Sequence, residues 1–86
     1  MINNLLQNPK SKKDDLEEQK ISAITTREQE VIGLICEGLR NKEVSDRLHI
    51  SEATVSHHLT SIFRKLDIED RVSLVIYAVR KRLGTL

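Results

Sequence analysis

The stretch Ile50–Leu66, "ISEATVSHHLTSIFRKL", decides the fold. Val55, Leu59, Ile62, Phe63 and Leu66 recur at i, i+4, i+7, i+8 and i+11, which is one stripe of an α-helix and not the alternation of a strand. The opposite side carries Ser56, His57, Thr60, Ser61 and Arg64, with basic charge only toward the end. Short hydrogen-bonding side chains on an almost uncharged face suit a helix that must come close to another surface.

Working outward, Ser51 is placed to cap this helix. Before it, "KEVSDRL" reads as a shorter helix anchored by Val44 and Leu48, with Asn41 as its expected cap. The connection "HIS", His49–Ser51, leaves only a tight turn between the two. A short helix, a tight turn and a longer helix with a polar outward face describe a helix-turn-helix. The turn has no glycine, so its geometry must come from Ile50 packing inward and Ser51 capping, with His49 as a turn residue.

Further upstream, "TTRE" puts Thr25 at an N-cap with Glu28 three residues on, a capping box. Val31, Ile32, Leu34, Ile35 and Leu39 follow as a buried side, and Gly38 marks the helix end. Downstream, Asp70 caps "RVSLVIYAVRKRL", with Gly84 beyond it. No strand-like alternation and no internal repeat interrupt this order. The expected fold is all-α: a compact four-helix bundle containing a helix-turn-helix, over residues 21–86, preceded by a flexible polar linker.

That linker is residues 1–20. "LLQNPKSKKDDLEEQK" is charged, is broken by Pro9 and lacks apolar periodicity, so it reads as largely disordered. Met1–Leu6 could finish a preceding helix, and Leu5, Leu6, Leu16 and Ile21 could pack transiently.

Composition narrows the function classes. Eighty-six residues make one small domain. The single cysteine, Cys36, excludes an internal disulfide, and its apolar run "VIGLICEGL" suits a buried small hydrophobe better than a reactive thiol. The start "MINNLLQNPK" lacks the parts of a signal peptide, and no apolar run approaches membrane-spanning length, so a cytoplasmic chain without membrane contact is expected. Net charge is +1, distributed as zero over residues 1–20, −1 over 21–51 and +2 over 52–86. Phosphate contacts would therefore have to come from a few well-placed residues. An enzyme is disfavoured, because there is no Gly-rich phosphate loop and no spaced nucleophile–base pair. Adjacent His57 and His58 diverge by about 100° and cannot readily chelate one ion, so neither metal nor cofactor is expected.

The run "ITTREQEVIGLICEGLRNKEVSDRLHISEATVSHHLTSIFRKLDIEDRVSLVIYAV" closely resembles the DNA-binding domain of LuxR/NarL-type (GerE-like) regulators, over about Ile24 to Leu83. The resemblance is strongest to the output domain of NarL-class response regulators, and the polar segment before it resembles the linker from a phosphoacceptor receiver. It implies sequence-specific binding of double-stranded DNA, at an inverted repeat, by a bacterial transcription regulator. The helix over about 52–66 would lie in the major groove. By position, the base-facing residues would be Ser56, His57 and Thr60. The backbone-facing ones would be Asn41, Lys42, Ser51, Thr54, His58, Ser61, Arg64 and Lys65. Relatives often carry Lys or Arg at the position of Ser56, and NarL a second Lys at that of Thr60, so the bases read here should differ.

The last helix carries more apolar surface than a small core needs. Leu74, Val75 and Ala78 continue the core stripe, while Val72, Ile76, Val79 and Leu83 form a second row. The resemblance implies homodimerisation through that row, and RNA polymerase is a further candidate partner. Arg71 opens this helix, where the dipole disfavours a cation. The resemblance implies an inward-packing residue at this position, so a structural hydrogen bond or ion pair is expected for it, with an acid such as Glu28. Two other readings use the same motif: a sigma-factor-like promoter module, and an interaction domain that has lost DNA binding.

Overall fold

The structure, a computed structural model, describes residues 12–83. Five helices and no strand occur among the described residues: α1 Lys12–Ser22, α2 Thr26–Cys36, α3 Asn41–Leu48, α4 Glu52–Leu66 and α5 Arg71–Lys81. The all-α expectation holds, with one helix more than the sequence reading. The expectations for Met1–Leu6, Pro9 and Gly84 fall outside the described residues.

Helix starts follow local chemistry. Thr25 Oγ1 accepts from the Glu28 N–H (3.1 Å) and the Glu28 carboxylate accepts from the Thr25 N–H (2.9 Å), which closes the capping box of α2. Ser51 Oγ accepts from the Thr54 N–H (3.0 Å) at the start of α4. Asp70 Oδ1 accepts from the Ser73 N–H (2.7 Å) at α5, and that bond holds the Asp70 carboxyl below the usual carboxylate range. The cap of α3 differs from expectation: Arg40 is the N-cap, Asn41 is the first helical residue, and the Glu43 carboxylate accepts from the Arg40 N–H (2.8 Å).

Helix ends use the left-handed backbone. Gly38 (φ 92°) follows α2, where lack of a Cβ makes this conformation easy. His49 (φ 60°), Asp67 (φ 58°) and Arg82 (φ 57°) do the same after α3, α4 and α5 without glycine. In the tight turn, the Ile50 N–H returns to the Ser45 carbonyl (3.0 Å) and Ile50 packs against the core, so the turn closes as the sequence suggested.

The core is formed by Val31, Ile32, Leu34 and Ile35 of α2, Val44 of α3, Val55, Leu59, Ile62 and Leu66 of α4, and Leu74 and Ala78 of α5. Cys36 packs at its margin, and partial burial pushes its thiol pKa up, away from reactivity. Helix α3 lies on α4, and α2 contacts α3, α4 and α5.

Two expectations need correction here. Leu83 is not part of an exposed row: it is buried with the core. Helix α5 stops at Lys81, Arg82 turns left-handed, and the Leu83 N–H bonds back to the Ala78 carbonyl (2.8 Å), folding the side chain inward. Continuing the helix to residue 83 would have kept it outside. Second, the segment read as a linker contains α1. Its Lys, Glu and Gln residues are good helix formers without an apolar pattern. Tertiary contacts supply what periodicity did not: α1 packs on α4, Ile21 reaches the core, and the Tyr77 hydroxyl donates to Glu17 Oε1 (2.6 Å). That bond holds the Glu17 carboxyl low, while burial first and the carboxylate second push the Tyr77 phenol up.

Candidate nucleic-acid interface

Helix α4 presents three longitudinal faces. Val55, Leu59, Ile62 and Leu66 are buried; Thr54, His58, Ser61 and Lys65 are half-buried; Ser56, His57, Thr60 and Arg64 are exposed. The half-buried set recurs at i, i+4, i+7 and i+11, so it is one ridge beside the exposed row.

The exposed row holds all three expected base-facing residues: Ser56, His57 and Thr60. Ala53 is exposed one turn before them, so apart from Glu52 at the helix start the first turns of this face carry no long side chain. Arg64 extends the row at its C-terminal end. The helix tip is ordered by Ser51, whose Oγ also lies 2.9 Å from Thr54 Oγ1.

The half-buried ridge behaves differently from expectation. Lys65 Nζ donates to Glu28 Oε1 (2.7 Å), and Ser61 Oγ donates to Glu28 Oε2 (2.7 Å). Both are expected at the DNA backbone; in the folded chain each donates a hydrogen bond to Glu28. Glu28 is the only buried charged side chain among the described residues, 4% exposed, and a buried carboxylate demands such donors. Burial pushes its pKa up. The Lys65 ammonium, the Thr25 N–H and the Ser61 hydroxyl together outweigh that effect, and the pKa lies below the usual value.

Arg71 has the structural role anticipated for it but different partners. Its guanidinium donates to Asn41 Oδ1 (2.8 Å) and to the Leu39 carbonyl, tying the start of α5 to the start of α3. Glu28 is not its partner; that carboxylate accepts from the Thr25 N–H, Ser61 and Lys65. Asn41, expected at the DNA backbone, thereby has its carbonyl end engaged. Lys42 is exposed and makes only a long i,i+4 contact with Asp46 (3.7 Å), which constrains it little.

On the far side, Val72, Ile76 and Val79 of α5 are 69%, 52% and 54% exposed. These branched residues at i, i+4 and i+7 form the apolar row anticipated there, without Leu83. Among the described residues no His, Cys, Asp or Glu group could hold a metal ion, and no helix is long and apolar enough to cross a membrane.

Sequence reasoning missed three contacts: Glu28 with Ser61, Glu28 with Lys65, and Tyr77 with Glu17. They join residues 33, 37 and 60 positions apart. The local signal at Glu28 was complete as a capping box, so nothing pointed to a second role.

Comparison with known proteins identifies the family and the fold. The family described as "Bacterial regulatory proteins, luxR family" matches residues 22–78. The transcriptional regulatory protein LiaR of Bacillus subtilis (strain 168) is 44% identical over 61 residues, covering 71% of this chain and 29% of LiaR. The response regulator protein VraR of Staphylococcus aureus (strain NCTC 8325 / PS 47) is 40% identical over 60 residues, covering 70% of this chain and 29% of VraR. The structure of response regulator StyR superposes with a TM-score of 0.74 at 36% identity, covering 93% of this chain and 39% of that one. The chain thus spans about a third of the length of these relatives. With a helix-turn-helix inside the matched region and the same fold in a solved relative, the chain belongs to the luxR family of bacterial regulatory proteins.

Proposed function

We propose that this chain is the DNA-binding output domain of a two-component response regulator, with α4 entering the major groove. The observation that carries the reading is the exposed row Ser56, His57 and Thr60, opposite a fully buried stripe and free of long side chains. The major groove, about 12 Å wide, admits an α-helix, and a low inserted face lets its axis come close to the base edges. Hydroxyls there can donate to or accept from base edges, and an imidazole can do the same. The response-regulator assignment rests on the similarity to VraR and StyR, and it concerns the larger protein of which such a domain is a part.

Backbone contacts then come from fewer residues than the sequence suggested. Arg64 on α4 and Lys42 on α3 are exposed cations of the helix-turn-helix. The Asn41 amide, Ser51, Thr54 and His58 supply further hydrogen bonds. Ser61 and Lys65 leave this set because Glu28 engages them. Self-association through Val72, Ile76 and Val79 would bring two α4 helices to an inverted repeat with half-sites about 34 Å apart. Under this reading the domain acts on DNA in the cytoplasm, with RNA polymerase as a further partner.

The test is selection of duplexes from a randomised pool by the 86-residue chain, followed by electrophoretic shift. The expected result is enrichment of an inverted repeat. No enrichment, and no shift at low salt with any duplex, contradicts the reading.

A further inference from the structure

We infer that Glu28 is a positioning residue for DNA recognition: through Ser61 and Lys65 it sets the rotation of α4 about its own axis, and Lys65 acts on DNA only through it. This rests on the function proposed above and extends it to a residue outside the helix-turn-helix.

The argument begins with spacing. Ser61 and Lys65 are i and i+4 on α4, so they stack on successive turns of one ridge. The two oxygens of a single carboxylate reach both, at 2.7 Å each. The carboxylate is itself fixed, because Oε1 also accepts from the Thr25 N–H at the start of α2. An off-axis attachment to a fixed base resists rotation of the helix, and the second one, a turn further along, stiffens it and also resists tilt.

Rotation matters because the exposed row lies beside this ridge. A 20° turn of a helix about 5 Å in radius would displace side-chain tips by about 2 Å. Base-edge hydrogen bonds tolerate only about 0.5 Å. An apolar stripe alone leaves more freedom, since contact between aliphatic groups is not directional. The Glu28 contacts supply the direction. They also occupy the Lys65 ammonium, which is 28% exposed, so a phosphate would have to compete with a buried carboxylate for it.

The two roles for Lys65 predict opposite results at Glu28. The experiment measures affinity of the unaltered chain, Lys65→Met and Glu28→Gln for a duplex selected by the unaltered chain and for a scrambled duplex, across a salt series. The selected-to-scrambled ratio does not depend on the fraction of chain folded, so plain destabilisation leaves it unchanged. The positioning role predicts that both variants lose about tenfold in that ratio, the equivalent of one charge-assisted hydrogen bond. It also predicts an unchanged salt slope for Lys65→Met, and a double variant little worse than either single one. Ser61→Ala, which removes one of the two attachment points, should lower the ratio in the same direction and serves if the other variants do not fold. The inference is overturned if Lys65→Met makes the slope shallower by about 2 in a dimer with the ratio unchanged. It is equally overturned if Glu28→Gln tightens binding to both duplexes, as a released lysine would. If the unaltered chain enriches no duplex at all, the DNA-binding reading itself fails, and the positioning role with it.

Discussion

Helices α4 and α5 each bury one stripe in the same core and leave another face outside, yet the two outer faces have opposite chemistry. On α4 the exposed residues are Ser56, His57, Thr60 and Arg64; on α5 they include Val72, Ile76 and Val79. Exposure alone would not tell these surfaces apart. A polar row with short side chains suits a hydrated, hydrogen-bonding groove, and an aliphatic row exposed to water gains from a second aliphatic surface. Under the proposed function, one domain would separate reading from self-association onto two helices, and each should be open to damage without loss of the other's fold.

The largest effect expected is on α5. Ala78 is fully buried and Val79 is 54% exposed, one position apart. Ala78→Glu should unfold the domain, because an unpaired buried charge costs several kcal/mol. Val79→Glu should leave the melting transition within about 0.5 kcal/mol of the parent. It should instead abolish self-association in sedimentation and weaken DNA binding with it. If Val79→Glu also unfolds the chain, α5 has no spare face and the comparison with α4 fails.

Next in size is the ridge held by Glu28. Lys65→Met should cost about 2 kcal/mol of stability, less than a fully buried pair because Lys65 is partly exposed. The Glu28 pKa is lowered in the folded chain. Its contribution is therefore fully present above the ordinary value of 4.5 and is lost as pH falls through the lower folded value. Acid denaturation followed by circular dichroism should show a shallower pH dependence below about 4.5 for Lys65→Met than for the parent.

Smaller still is the cap of α4. Ser51→Ala removes the acceptor for the Thr54 N–H and should cost about 1 kcal/mol, read from chemical denaturation. Val79→Glu and Ser51→Ala together should be additive, because the two positions belong to separate faces.

Most of the fold was legible because its signals are local. The capping box at Thr25, the caps at Ser51 and Asp70 and the stripe from Val55 to Leu66 all lie within one or a few turns of the residues they organise. The exposed α4 row and three of the four α5 residues follow from the same periodicity. What was not legible depends on tertiary contact or on a single backbone angle. Helix α1 has no apolar pattern and is held by Tyr77 and by packing on α4. Leu83 turns inward because Arg82 is left-handed, at a position where glycine would have given warning. Lys65 looked like a phosphate contact because its partner, Glu28, already had a complete local explanation.

The central claim, that α4 reads DNA with one row while Ser61 and Lys65 on the neighbouring ridge serve the fold, is tested most directly at two adjacent residues. Thr60 and Ser61 differ by about 100° around the helix. The measurement is the base preference at each position of the selected duplex, together with the melting temperature, for Thr60→Ala and Ser61→Ala. The account predicts that Thr60→Ala leaves melting unchanged and alters preference at one or two base pairs by about 1–3 kcal/mol. Ser61→Ala should lower the melting temperature and flatten preference evenly along the site. A local change in base preference from Ser61→Ala with unchanged melting, or no change of any kind from Thr60→Ala, would contradict it.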